Sequence, residues 1–161
     1  MQTLRDTTFA DVTDAEAVAA CYPLLRQLRP HLSGPEELVT RWQSQARAGY
    51  RLITLLHGDR PTALAGFRIQ ENLVHGRHLY VDDLVTDAAA RSCGFGGMLL
   101  ERLVGLARAD GCAKLLLDTP LTNVLGHRFY YREGLVAGAL RFNRTVADER
   151  RIPEAGPPLP G

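Results

Sequence analysis

Arg91-Ser92-Cys93-Gly94-Phe95-Gly96-Gly97 joins a strand-like run over 79–86 to the segment Met98-Leu99-Leu100-Glu101-Arg102-Leu103-Val104-Gly105-Leu106-Ala107-Arg108-Ala109. In that segment Leu99, Leu103 and Leu106 recur at helical spacing, flanked by Leu100, Val104 and Ala107. The order is therefore strand, glycine-rich turn, helix. Glycines let backbone N–H groups turn into one concavity, and a helix N-terminus adds partial positive charge. Such a turn suits a phosphate or pyrophosphate. A plain tight turn would also use glycines, but the flanking strand and helix favour the anion.

Downstream, Lys114-Leu115-Leu116-Leu117-Asp118 follows Gly111 as a short apolar run, which predicts a central strand buried on both faces. Strand, helix and strand then form a crossover, so the strands at 77–86 and 114–118 should be parallel. Upstream, 51–57 reads as a strand and His57-Gly58-Asp59-Arg60-Pro61 as a turn. A second strand follows over 62–74, with Gly66 as a bulge or weak point in its middle. After the tight connection His75-Gly76, a third strand over 77–86 completes an antiparallel meander.

Two capping boxes precede the meander, Thr13-Asp14-Ala15-Glu16 and Ser33-Gly34-Pro35-Glu36. The first helix carries Val18, Tyr22, Leu25 and Leu28, and Pro23 should kink or split it. The second carries Leu38, Val39, Trp42 and Ala46 and stops near Gly49. Residues 3–10 are an edge strand at best. Past the crossover, 121–133 reads as a helix with Leu121, Leu125 and Phe129 on one stripe and Gly134 as its stop. Residues 135–145 should close as a last strand, and 147–161 read as a Pro- and Gly-rich tail. The expectation is one α+β domain over 1–146 with a mixed sheet.

Bulk properties narrow the function. At 161 residues the chain is long enough for one real core, and a net charge of +1 gives no nucleic-acid or membrane footprint. No apolar run approaches membrane-spanning length. Cys21, Cys93 and Cys112 are an odd, scattered set without disulfide or metal spacing, which fits a reducing cytoplasm. Cys93 lies inside the glycine turn, but no His or Asp stands near it in sequence, so a compact turn residue is the better reading than a nucleophile. His31, His57, His75 and His78 show no metal spacing, so no metal site is expected.

The turn itself excludes two phosphate binders. A Walker loop ends in Gly-Lys-Ser/Thr, but here the end is Gly96-Gly97-Met98. A dinucleotide fingerprint needs a third small residue where Leu99 stands, and lies near the start of its fold. What remains is Arg-x-x-Gly-x-Gly from Arg91 to Gly96. This motif resembles the acyl-CoA pyrophosphate loop of the GCN5-related N-acetyltransferase (GNAT) superfamily, and the resemblance runs from about Leu79 to Leu135. The run Asn123-Val124-Leu125-Gly126-His127-Arg128-Phe129-Tyr130-Tyr131-Arg132-Glu133-Gly134-Leu135 is similar to that superfamily's Asn-x-x-Ala-x-x-Phe-Tyr-x-x-x-Gly-Phe. Gly126 replaces the usual alanine and Leu135 the usual phenylalanine.

The resemblance implies a GNAT-like mixed, mostly antiparallel twisted sheet flanked by helices and split between the strands at 77–86 and 114–118. It implies acetyl-CoA as co-substrate, lying in that split. Its pantetheine amides would pair with the backbone of Leu84, Val85 and Thr86, and Asn123 and Gly126 would lie along the pantetheine arm. The pyrophosphate would take N–H bonds from Ser92, Cys93, Gly94, Phe95, Gly96 and Gly97, beside Arg91. Tyr130 would stand by the thioester sulfur, and Tyr131 would be a packing aromatic.

The strand before the turn reads His78-Leu79-Tyr80-Val81-Asp82-Asp83-Leu84-Val85-Thr86, and aspartates are poor strand formers. Alternation sends Asp82 and Asp83 to opposite faces, one to a substrate cleft and the other to a structural partner such as an arginine. The superfamily often has an acidic pair eight residues before the loop arginine, as Asp83 is before Arg91. Its first member, here Asp82, is the one proposed to assist deprotonation. The alternative, that both aspartates only bind arginines or backbone, stands about level. His127 is a second candidate base, though a partly exposed helix residue is the simpler reading.

The implied activity is acetyl transfer to a primary amine by direct attack in a ternary complex. The acceptor pocket would be built by the first two helices, their connector and the turn near 72–76. The acceptor is a small amine or a protein amine. A homodimer through the last strand rests on family habit alone. Two alternatives stay open: a non-catalytic acyl-CoA-binding or regulatory module, and a generic nucleotide-binding domain. Tyr130, Asn123 and Asp82 together favour the enzyme over the module.

Overall fold

Continuous burial through the middle of β-strands 51–57 and 60–72 marks a sheet covered by helices on both faces. The computed structural model describes residues 6–147. Two compact units divide the chain, residues 1–117 and 118–161. The first holds β1 (Thr7–Val12), α1 (Ala15–Ala20), α2 (Tyr22–Leu28), α3 (Pro35–Ala46), β2 (Arg51–His57), β3 (Arg60–Asn72), β4 (Gly76–Thr86), a 3₁₀ turn (Ala88–Ala90), α4 (Phe95–Ala109) and β5 (Lys114–Leu117). The strand order is β1-β2-β3-β4-β5. Neighbours pair antiparallel except β4 and β5, which are parallel. The meander and the crossover are as the sequence predicts.

Two cores flank the sheet. Val18, Leu24, Leu25 and Leu38 of α1–α3 pack with Val12, Leu52, Leu64 and Val85 on one face. Leu99, Leu103 and Ala107 of α4 pack with Ile53, Leu55, Ala65, Phe67, Leu79 and Val81 on the other. Gly96, Gly97 and Gly105 each cost α4 roughly 1 kcal/mol in helix propensity. Burying Phe95, Leu99, Leu100 and Leu103 outweighs this, at about 1.5–3 kcal/mol per large side chain.

The caps differ from the sequence expectation. Asp14, not Thr13, caps α1 by accepting from the Ala17 N–H at 2.9 Å. Gly34 is the N-cap of α3, Pro35 occupies its first turn, and Glu37 reaches back to the Ser33 N–H and hydroxyl. A proline that supplies no N–H fits the first turn, which moves the cap one residue on from Ser33. Pro23 does split the first helical segment, with Cys21 between α1 and α2. Helix α4 begins at Phe95, so Gly96 and Gly97 belong to its first turn and not to the preceding loop.

Among the described residues β5 is an edge strand, with Lys114 exposed and Leu115–Leu117 half-buried. This corrects the expected central strand: β5 has a strand neighbour on one side only. The second unit contains α5 (Val124–Arg132), with Asn123 as N-cap and Gly134 at a left-handed φ of +85° just past its end. Leu121 lies before the helix, and both it and Leu125 are exposed, so of the expected three-residue stripe only Phe129 is half-buried. Residues 135–145 form no strand: no ladder includes them, and Val136, Leu140 and Phe142 are exposed. A β-pattern alone does not make a strand without a neighbour to satisfy its backbone. An ion pair links Arg141 with Asp118 in this unit. The expected tail from 147 lies outside the described residues beyond its first position.

Candidate active site

A single bulge determines where the acidic pair points. Gly66 pairs with Asp83 and Phe67 with Val81, which leaves Asp82 as the extra residue on β4. Side-chain alternation slips at that step. Val81 and Leu84 both pack on the α4 face, although three residues apart, and Val85 lies on the other. Asp82 and Asp83 therefore share the α1–α3 face, which corrects the expectation that they face apart. The sequence flagged Gly66 as a bulge position but could not show that the inserted residue lies on the opposite strand.

Both carboxylates have arginine partners on this face. Arg29, at the end of α2, donates from Nε to Asp83 Oδ1 at 2.9 Å and from Nη2 to the Asp82 carbonyl at 3.0 Å. The Tyr50 hydroxyl donates to Asp83 Oδ2 at 2.8 Å. Asp83 is thus held from two sides, and the bulge is clamped through its own carbonyl. Tyr50 reaches Asp83 only because residue 66 has no side chain: an ideal Cβ there would lie 1.9 Å from the Tyr50 hydroxyl oxygen. Burial, first, and the Asp83 charge push the Tyr50 hydroxyl pKa far upward, so it stays a donor. Asp82 Oδ2 accepts from Arg68 Nε at 3.1 Å, and Arg68 also reaches Gln45 Oε1. Burial raises the Asp82 pKa above the usual carboxylate value, and Arg68 only partly offsets it.

The bulge lies beside an open strand edge. The β4–β5 ladder pairs His78 with Lys114 through Val81 with Leu117 and ends there. Strand β4 runs on through Asp82, Asp83, Leu84, Val85 and Thr86 with no ladder on that side among the described residues. The predicted split thus begins after Val81, below which the two strands are joined.

Asp87 connects this edge to the glycine turn. Its N–H donates to the Thr62 carbonyl, and its side chain takes bonds from the Ala89 N–H, Gln27 Nε2 and Arg60. Those partners, the Ala89 N–H first, hold its pKa below the usual value. Beyond the 3₁₀ turn, Arg91 is extended and Ser92 has a φ of +65°, while Gly94 has a φ of +81°. A left-handed serine is strained, and such conformations gather at ligand sites. Arg91, Ser92, Cys93 and Gly94 are exposed, while the Phe95 side chain is buried in the α4 core, leaving only its backbone for a ligand. The first helical bond of α4 runs from Met98 N to Gly94 O. The N–H groups of Gly94, Phe95, Gly96 and Gly97 therefore have no acceptor within the helix. Donors of this kind at an exposed turn fit a pyrophosphate.

Asn123, Gly126 and Tyr130 belong to the second unit. Asn123 Oδ1 accepts from the Gly126 N–H at 3.0 Å, and its Nδ2 donates to the Thr119 hydroxyl at 3.0 Å. An ideal Cβ at Gly126 would lie 2.3 Å from Asn123 Nδ2, so glycine in place of alanine lets the asparagine fold over its own helix start. Tyr130 is half-buried with its ring edge-on to Phe129, and burial pushes its hydroxyl pKa up. Tyr131 is exposed, not the packing aromatic expected. His127 Nε2 lies 2.9 Å from the Pro120 carbonyl.

Burial raises the Cys21 thiol pKa to about 11, which keeps it inert. Among the described residues no group of three or more His, Cys, Asp or Glu side chains could hold a metal, and no helix is long and apolar enough to cross a membrane.

The sheet parts after Val81, just before the bulge, and the open strand edge beyond leads to a left-handed turn that heads a helix. Residues 16–135 match the Acetyltransferase (GNAT) family, and the chain belongs to it as an acetyltransferase. Over 119 residues it is 33% identical to an uncharacterised N-acetyltransferase, YhdJ, of Bacillus subtilis (strain 168), covering 74% of this chain and 84% of that one. Over 115 residues it is 30% identical to a glucosamine 6-phosphate N-acetyltransferase of Trypanosoma brucei brucei, covering 65% and 76%. The crystal structure of a Trypanosoma brucei acetyltransferase matches with a TM-score of 0.71 at 23% identity, covering 88% of this chain and 100% of that one, which supports the fold alone.

Proposed function

We propose that the protein transfers an acetyl group from acetyl-CoA to a primary amine by direct attack within a ternary complex. One observation carries the reading: the unpaired edge of β4 from Asp82 to Thr86 leads through Asp87 into the exposed donors of the glycine turn. The backbone of Leu84, Val85 and Thr86 would pair with the pantetheine amides as an added strand. The N–H groups from Ser92 to Gly97 would bind the pyrophosphate, with Arg91 adding charge. By their places in the family pattern, Asn123 and Gly126 are assigned to the pantetheine arm and Tyr130 to the thioester sulfur. In the capped state Asn123 spends its side-chain amide within its own unit, so this role requires it to turn outward.

Acetyl-CoA supplies an activated acetyl carbonyl. Asp82, directly or through a water, takes a proton from the amine as its nitrogen bonds to that carbonyl carbon. An N–H near Leu84 polarises the carbonyl oxygen. The carbon–sulfur bond breaks, and Tyr130 gives the departing thiolate a proton. A raised pKa suits both groups: Asp82 becomes a better base, and Tyr130 stays protonated until the thiolate forms. The reading includes a cytoplasmic setting, supported by three free cysteines.

Initial velocities with both substrates varied test the route. Direct transfer predicts intersecting double-reciprocal lines and no burst of free thiol without amine. Parallel lines with a thiol burst would require a covalent acetyl-enzyme and overturn direct attack.

A further inference from the structure

A cavity of about 220 Å³ opens on the α1–α3 face over the bulge, with Asp83, Arg29 and Tyr50 among its lining. At ~30 Å³ per water it holds roughly seven waters, a space for one small molecule and not for a stretch of polypeptide. Leu32, Leu38 and Trp42 give it an apolar wall, while Arg41 and His31 stand on it as basic groups. Asp83 is the one acid among the lining residues, and its charge is already met by Arg29 at 2.8 Å and by the Tyr50 hydroxyl. Glu37, outside the lining, pairs with Arg41 in the same way, so the wall offers N–H donors with no unpaired acid to receive a second cation. Arg41 is half exposed and uses Nε and Nη2 on Glu37 Oε1, which leaves guanidinium N–H donors for another anion. Glu37 keeps the Ser33 N–H and hydroxyl if Arg41 turns towards a ligand.

We propose that this cavity takes a small primary amine carrying a carboxylate and an apolar body. The carboxylate sits on Arg41, the body packs on Trp42 and Leu38, and the amine points to the Asp82–Asp83 bulge. This rests on the acetyltransferase reading above. It sets the acceptor apart from polycationic amines, which would want acids on the wall.

Matched acceptors test it, with free thiol as the readout and L-phenylalanine, phenethylamine and glucosamine 6-phosphate as probes. The proposal predicts kcat/KM for L-phenylalanine about tenfold or more above phenethylamine, since the two differ only in the carboxylate. Arg41→Gln should collapse that ratio towards one, and retention of the acetyl-CoA melting shift by this variant checks its folding. Equal or better turnover of phenethylamine, an unchanged ratio in Arg41→Gln, or preference for glucosamine 6-phosphate overturns the proposal. No turnover of any probe with an intact acetyl-CoA melting shift also overturns it, while leaving the acetyltransferase reading in place. Loss of the melting shift in the wild type overturns that reading itself.

Discussion

A carboxylate that acts as a base must be basic enough to take a proton and free enough to reach it. Asp83 is bound by Arg29 and Tyr50 together, whereas Asp82 has Arg68 on one oxygen and a raised pKa. Asp82→Asn and Tyr130→Phe should each lower kcat by ~10²–10⁴-fold while acetyl-CoA affinity changes little. The base must be ionised, so wild-type kcat should fall as pH drops through the Asp82 pKa, above the usual carboxylate value, and Asp82→Asn should lose that acid limb. A near-wild-type kcat in either variant would remove that residue from the mechanism. Gly66→Ala drives a methyl group into the Tyr50 phenol and should cost about 1–3 kcal/mol, read as a lower urea midpoint at unchanged slope. At this scale the sequence was informative where partners are near in chain: Asn123, Gly126 and Tyr130 stand at one spacing. It was silent where they are distant. Arg29 and Tyr50 lie 54 and 33 residues from Asp83, and no local pattern connects them.

Helices and strands are legible where an apolar pattern is strong, as in the stripe of α4 and the apolar runs of the β2–β4 meander, which is buried on both faces. Their ends were less so, because a cap is decided by which of several adjacent polar groups reaches an N–H. Asp14 displaced Thr13, and Glu37 displaced Glu36. The last strand failed for a different reason: a strand needs an edge to pair with, which 135–145 does not itself encode. The join between β4 and the glycine turn depends on Asp87. Asp87→Ala loses bonds to the Ala89 N–H, Gln27 and Arg60, and should cost roughly 1–3 kcal/mol in urea unfolding at neutral pH. Because the folded state lowers this pKa below 3.8, the stabilisation is full above that value and is lost as pH falls through the folded pKa. The gap between wild type and variant should therefore narrow in acid; a gap that widens there would contradict the assignment.

On the scale of the whole molecule, the strand–turn–helix–strand order predicts the crossover and its parallel pair. The sheet parts where β4 outruns β5, and the bulge beside that opening turns both aspartates to the α1–α3 face. The length of a ladder and the side of a bulge depend on pairing between strands, which is why the split was foreseen only through family resemblance. The open β4 edge and the glycine turn together should bind acetyl-CoA. Thermal unfolding with acetyl-CoA, ATP and NAD, each tested alone, addresses that binding most directly. A ligand at ~100 times its Kd adds about 2.7 kcal/mol by mass action, enough to move the midpoint of a domain this size by several degrees. The midpoint should rise with acetyl-CoA and stay in place with ATP or NAD; no rise with acetyl-CoA, or a rise with ATP or NAD instead, would rule out acetyl-CoA binding at this edge and turn.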